Sequence, residues 1–323
     1  MTDVVCLGEL LIDFTTLKSG ESVIESECFT KNAGGSPANT CAGVAALGGK
    51  AAFLGKVGND SFGKYLYKVL EDKGVDVTGL RLSDEAMTKL AFVDNITPDE
   101  RRFIFYGKPS ADELYSEDDL ETGILADAKI FHFGSISLVN DCVYQAAVTA
   151  AGIARSKGAL ISYDPNIRLN MWPSESAARQ RSDECVRMAD IVKLSDEEME
   201  VVTGTNDIDE ALDMLNLLGV KIAVITRGGK GVAYRWGSVR GFVPSYDVVS
   251  RDATGAGDSF AAGLLFQIAR QNKPVTAYDE SLIRGVIAFA AKVAAIVVTK
   301  PGAIPAMPSF EEVADSPIVL KQE

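Results

Sequence analysis

Histidine is almost absent from this 323-residue chain: the lone His132 rules out a metalloenzyme built on histidine ligands and reads as a strand residue. The five cysteines (Cys6, Cys28, Cys41, Cys142, Cys185) are odd in number, scattered and free of CxxC spacing. They read as reduced cytosolic thiols, not as a disulfide framework or a zinc site. Positive charge is also short. Lys and Arg total 32 against 45 Asp and Glu, and the net charge of −13 leaves no basic excess to displace counterions from nucleic acid. No basic stretch precedes the apolar run Val4–Leu11, so no signal peptide is expected. The greasiest segment, Gly285–Val298, is too short for a bilayer and is broken by Lys292, which predicts a buried helix in a soluble, cytoplasmic protein. No GxGxxG follows the first strand, where Gly8 stands alone before Glu9, and this argues against an NAD-linked oxidoreductase. Internal repeats, low-complexity tracts and long linkers are missing too.

What is present suits a globular α/β protein, with 47% hydrophobic and 24% charged residues. Short β-branched runs alternate with helical segments, predicting a doubly wound, mostly parallel sheet flanked by helices. Strands are expected at Val4–Ile12, Ala51–Val57, Lys129–Phe133, Ala159–Asp164, Ile191–Leu194 and Lys221–Thr226, with a hairpin over Gly231–Pro244 turning at Gly237–Ser238. Helices are expected at Ser36–Leu47 (Ser36 as N-cap, Pro37 at N1), Ser61–Asp72, Cys142–Ser156, Ile208–Leu218, Gly255–Ala269 and Ser281–Thr299. Residues 14–32 and 88–107 break the rhythm. Their alternation, as in Arg102-Phe103-Ile104-Phe105-Tyr106, predicts a small sheet projecting from a single domain spanning 1–323, either a lid over a cleft or an inert decoration.

The strongest chemical signal is Asp252-Ala253-Thr254-Gly255-Ala256-Gly257-Asp258, which opens an apolar helical pattern. Small residues at a helix start leave the amides of 255–258 bare, and with the positive helix end they form an anion site. A carboxylate there makes sense if it must take a proton from a nucleophile approaching a phosphate; the bland alternative is an acid favoured by the helix dipole. A second glycine cluster, Asn32-Ala33-Gly34-Gly35-Ser36-Pro37-Ala38-Asn39, permits close backbone approach and offers Asn39 to hydroxyls, although Ser-Pro alone explains it as a capped turn. Asp13, placed at the end of the first strand, suits sugar hydroxyls or a plain surface turn. Gly58 to Lys64 nearly matches a P-loop, but Tyr65 replaces the Ser or Thr that must reach Mg²⁺, so it reads as a joint.

The two glycine motifs, in this order and about 220 residues apart, resemble the signatures of the ribokinase-like (PfkB) carbohydrate kinases, and within them the fructokinases. That resemblance spans the chain and implies ATP-dependent phosphorylation of a sugar primary hydroxyl, fructose to fructose 6-phosphate. It assigns Asp258 as base and Gly255, Ala256 and Gly257 as the anion hole. The sugar falls to Asp13, Gly34, Gly35, Asn39, Tyr106, Lys108 and Arg168. ATP falls to Ser195, Glu198, Thr226, Gly228, Gly231, Lys292 and Gly302, with Glu198 near Mg²⁺ through water and Ser195 standing where the family has Asn. A monovalent-cation site for K⁺ is implied at Asp252, Thr254, Val297, Lys300 and Gly302, and pairing of two copies through the lid. Three stretches favour fructose: Phe105 to Asp112, His132 to Ser137 and Asp164 to Arg168. Lys108 and Arg168 keep open 2-keto-3-deoxygluconate, an acid that wants cationic contacts. A non-catalytic sugar sensor would lack the base or the glycine loop, and neither is missing.

Overall fold

The structure, a computed structural model, describes residues 1–18, 20–95, 101–271 and 273–321. Residues 19 and 96–100 of the two expected lid stretches lie outside them.

Among the described residues thirteen strands follow one another: β1 (Thr2–Leu7), β2 (Leu11–Thr16), β3 (Phe29–Gly34), β4 (Ala51–Gly58), β5 (Leu80–Ser83), β6 (Leu90–Asn95), β7 (Arg101–Tyr106), β8 (Ala128–Gly134), β9 (Leu160–Asp164), β10 (Ile191–Ser195), β11 (Ile222–Thr226), β12 (Val232–Trp236) and β13 (Val239–Val243). Nine form a sheet in the order β13-β12-β11-β10-β9-β8-β1-β4-β5. It is parallel except at β11–β12–β13, where the hairpin turns at Gly237-Ser238. Alternate residues bury both faces. In β1, Val4 and Cys6 join the core under the helices Ser36–Ala46, Ala256–Arg270 and Glu280–Val297. Val5 and Leu7 join the core on the other side, beneath Asp141–Ser156 and Ile208–Leu217. Each such side chain contributes roughly 1.5–3 kcal/mol through burial. Strand order reverses between β1 and β8, and ligands in such folds bind beyond the carboxyl ends of the strands at that reversal.

Where the run Val4–Ile12 predicts one strand, there are two. The chain leaves the large sheet after Leu7 and enters a four-stranded sheet, β3-β2-β6-β7, at Leu11. Leu10, Leu11 and Ile12 are as buried as Val4 and Val5, so hydrophobicity continues through the change of sheet and hides it. Asp13 consequently lies inside β2 of the small sheet, paired across from Asn32, and not at the end of β1. Strands β2 and β6 run parallel, with β3 and β7 antiparallel at the edges. At the root of this sheet, Lys89 is buried against Asp112 (2.7 Å) and Glu113 (3.2 Å). Burial alone would lower the Lys89 pKa, but Asp112, Glu113 and Glu9 together outweigh it and the net shift is upward. Among the described residues no helix is long and apolar enough to cross a membrane.

His132 is a buried β8 residue whose Nδ1 lies 3.0 Å from Ser162 Oγ. Burial, helped by the Lys193 charge, pushes its pKa down to about 3 from an ordinary 6.5. The unfolded chain therefore binds this proton below pH about 6.5 while the folded chain refuses it until about 3, so stability falls as pH drops through that window. Between pH 7 and 5, wild type is expected to lose about 2 kcal/mol more stability than His132→Gln. Urea titrations of both proteins at the two pH values check this; parallel losses would refute it.

Candidate active site

A cleft of about 940 Å³ opens where β1 and β8–β11 end. One wall is the start of helix Ala256–Arg270. Its N-cap Gly255 sits at φ 77°, ψ 7°, a left-handed conformation that glycine alone adopts freely, and a Cβ there would come 2.7 Å from the Ala303 methyl. Ala256 N–H is already bonded to Ala253 carbonyl (3.1 Å), which removes it from the expected anion hole. Gly257 and Asp258 are first-turn residues whose amides have no intrahelical acceptor.

Asp258 is buried in the first turn and faces the opposite wall, helix Ser36–Ala46. Ser36 Oγ donates to its Oδ1 (2.7 Å) and Asn39 Nδ2 to its Oδ2 (2.8 Å). The two glycine motifs, 219 residues apart at this contact, thus meet on one carboxylate. Ser36 is not the N-cap; Gly35 is, at φ 109°, and no side chain of its own caps the helix. The Glu9 carboxylate takes over that task, accepting Ser36 N–H (3.0 Å) at one oxygen and Ser137 Oγ at the other. Asn39 Oδ1 is buried without a partner among the described residues, an acceptor at the cleft wall.

Asp13 also lines the cleft, its carboxylate lying where a side chain on Gly34 would stand. Phe103 and Phe105 stack at 6.1 Å and border the cleft from β7, and the Arg168 guanidinium lies 5.4 Å above the Phe103 ring. Of the other expected sugar contacts, Tyr106 points away, packed on Phe92 and 54% exposed, and Lys108 is exposed outside the cleft lining.

Of the residues expected at the nucleotide, Ser195, Glu198, Thr226 and Gly228 line the same cleft. Ser195 caps helix Asp196–Thr203, and Glu198 reciprocates. The Glu198 oxygens accept Ile167 N–H (2.6 Å) and the Ser195 amide and hydroxyl (2.8 Å each). Gly231, Lys292 and Gly302 do not line it. Lys292 donates to Ser316 carbonyl (2.9 Å) and Lys300 pairs with Glu312 (3.2 Å). Asp252 accepts Thr254 N–H and Gly302 N–H, both at 2.8 Å, and so ties the loop before helix Ala256–Arg270 to the loop after Val297. Val297 carbonyl accepts Lys300 N–H (3.0 Å). No cluster of three or more metal-ligating side chains occurs among the described residues.

At the floor, Lys193 is paired with Asp164 at 3.0 Å. Burial pushes the Asp164 carboxyl up to about 6 against the opposing pull of Lys193. Burial would lower the Lys193 pKa, but Asp164, Glu198 and Asp258 outweigh it and raise it, so the pair is ionised at neutral pH.

Residues 1–309 match the family model described as pfkB family carbohydrate kinase. The chain belongs to that family. A "Probable fructokinase-7" of Arabidopsis thaliana is 43% identical over 317 residues, covering 97% of this chain and 92% of the relative. The crystal structure of a Xylella fastidiosa fructokinase with bound ATP superimposes with a TM-score of 0.88 at 32% identity, covering 97% and 98% of the two chains. A double mutant of a Vibrio cholerae O395 fructokinase, in fructose-, ADP- and potassium-bound form, superimposes with a TM-score of 0.87 at 29% identity, covering 97% of each.

Sequence reasoning about this pfkB-family kinase missed Glu9, Ser36 and Lys193 as cleft residues. The signal for two of them was there: Glu9 and Lys193 are charges inside otherwise apolar strand runs, and a buried charge needs a reason. Ser36 carried no such mark, because its partner is 222 positions away.

Proposed function

We propose that this kinase transfers the γ-phosphoryl group of ATP to the primary hydroxyl of fructose, giving fructose 6-phosphate and ADP. The observation that carries this reading is Asp258, a buried carboxylate at a helix start, held by two donors from the facing signature at the mouth of two bare amides. The sugar lies against Asp13, Gly35 and Asn39, its hydroxyl at Asp258, while Gly34, which does not line the cleft, makes room for the Asp13 carboxylate. The hydroxyl oxygen forms the new bond to phosphorus, the bond from phosphorus to the ADP oxygen breaks with its electron pair leaving on ADP, and the proton goes to Asp258. The amides of Gly257 and Asp258 stabilise charge on the transferring group. ATP lies along Ser195, Thr226 and Gly228. Mg²⁺, which binds chiefly through phosphates, water and one or two carboxylates, fits a cleft lined by Asp196, Glu197 and Glu198 and supplies charge neutralisation. Asp252 and the carbonyls near Val297 are the oxygens that suit K⁺.

Leu11, Asp13, Phe103 and Phe105 project from the small sheet into the cleft, so that sheet acts as the lid whose closure keeps water from the phosphoryl group. Its edge strands β3 and β7 are where two copies would pair. Free thiols on all five cysteines agree with a reducing, cytosolic setting. A keto-acid sugar is the second reading, supported by Arg102 and Arg168 beside the sugar side of the cleft.

The test is a coupled ADP-release assay over fructose, 2-keto-3-deoxygluconate, ribose and adenosine. ADP is expected only with sugar present, with kcat/KM for fructose at least about tenfold above the others, the scale of one net hydrogen bond. Preference for the acid would move the assignment, and sugar-independent ADP release would remove it.

A further inference from the structure

Lys193 occupies a position in the large sheet where the pattern calls for an apolar residue. It sits mid-strand in β10 on the face that Ile191, Ile222 and Val224 give to the core beneath helix Ala256–Arg270. The neighbouring strand β9, which pairs Ser162 with Ile191 and Tyr163 with Val192, ends in Asp164, and the Lys193 ammonium lies 3.0 and 3.3 Å from its two carboxylate oxygens. As a core device this pair is poor, since desolvating two ions largely cancels their attraction and an apolar pair would serve as well. Nor is the pair sealed into the core. Lys193 lines the cleft, with Asp164, Glu198 and Asp258 gathered around one cation. A Cβ built on Gly257 would stand 2.8 Å from Lys193 Nζ, which puts the ammonium directly beneath the residue preceding Asp258. The glycine at 257 therefore does more than bare an amide. It leaves room for a cation against the positive helix end.

We propose that Lys193 is a catalytic cation of the phosphoryl transfer, its ammonium neutralising the oxygens of the γ-phosphoryl group in flight while Asp164 holds it at the cleft floor. It lines one cleft with Asp258, Ser195, Thr226 and Gly228, the cleft that the transferring group crosses on the proposed reading. Lys193 forms no bond and moves no proton. Its contribution is charge fixed in advance, in a site of low dielectric where such charge counts most. This inference rests on the reading of Asp258 as base.

Two variants test it. Lys193→Met removes the cation but strands Asp164 as a buried lone charge. Lys193→Met combined with Asp164→Asn removes both charges and spares the fold that strain. Both proteins are expected to lose about 10²–10³ in kcat, the worth of one fixed donor at developing charge, with KM for fructose within about threefold. The double variant is expected to regain the wild-type melting temperature without regaining turnover. ADP alone is expected to bind it as it binds wild type. ADP with aluminium fluoride and fructose, which mimics the planar phosphoryl group, is expected to bind at least about tenfold more weakly. A double variant with kcat within about fivefold of wild type would overturn the proposal, leaving Lys193 as a mere counter-ion to Asp164. Asp258→Asn, run alongside, separates the two claims: if it alone is inactive, only the lysine assignment falls, and if it turns over like wild type, the base falls and takes the lysine with it.

Discussion

Asp258→Asn is expected to reduce kcat by about 10²–10⁴ while the affinity for ATP stays within about threefold of wild type. The substitution keeps shape and removes only proton affinity. Ser36 Oγ can still donate to the remaining oxygen. The new amide would face Asn39 Nδ2, donor against donor, but Asn39 holds a buried oxygen without a partner among the described residues and restores the bond by turning its amide over. The fold therefore has no reason to fail, and lost turnover reports on chemistry. Steady-state turnover and a calorimetric ATP titration decide the matter together. Activity above about a tenth of wild type, below even the least a general base contributes, would strip Asp258 of its role.

Gly35→Ala is the second large effect. At φ 109°, ψ 122° an L residue is strained, and the added methyl would overlap the Glu9 carbonyl and stand 3.2 Å from Leu10 Cα. Those obstacles are backbone, in the short connection between β1 and β2, and cannot swing aside. The start of helix Ser36–Ala46 must shift instead, and with it Ser36 and Asn39. A loss of about 2–3 kcal/mol in stability is expected, with about a 10²-fold loss in kcat/KM from misplacing groups that hold the reacting atoms. Gly152→Ala is the matched control, since a methyl there meets nothing within 4 Å in the helix Asp141–Ser156, and it is expected to stabilise by about 0.5–1 kcal/mol. Denaturant midpoints and initial rates for the two variants settle it. Equal behaviour of the pair would mean that the helix start is not constrained as described.

The fold was legible wherever local chemistry decided it. Helix Ser61–Asp72 falls where its pattern puts it, because Asp60 caps it by accepting Phe62 and Gly63 amides and its apolar stripe faces one way. The β12–β13 hairpin follows from a two-residue turn that glycine favours. Helix Glu175–Met188 escaped notice, since it buries little beyond Ala178, Ser182, Cys185 and Val186 and carries charge almost everywhere else. The site divides along the same line. Gly255 and Asp258 belong to a local motif and announce themselves. The Ser36 hydroxyl and the Lys193 ammonium take their positions from contacts between distant segments, and the ordinary local explanation for Ser36, an N-cap before proline, was available and incorrect. Asp13 does line the cleft, but not as the end of the first strand, which stops six residues earlier.

The small sheet is hung from the rest of the molecule by very short connections. Three residues join β1 to β2, and a single residue, Gly35, joins β3 to the helix that carries Ser36 and Asn39. A sheet hung this way cannot tilt on its own. Any tilt it makes toward the cleft is handed at once to the two side chains that hold Asp258, so under the proposed mechanism covering the sugar and freeing the carboxylate for its proton become one mechanical event, with no separate relay between them.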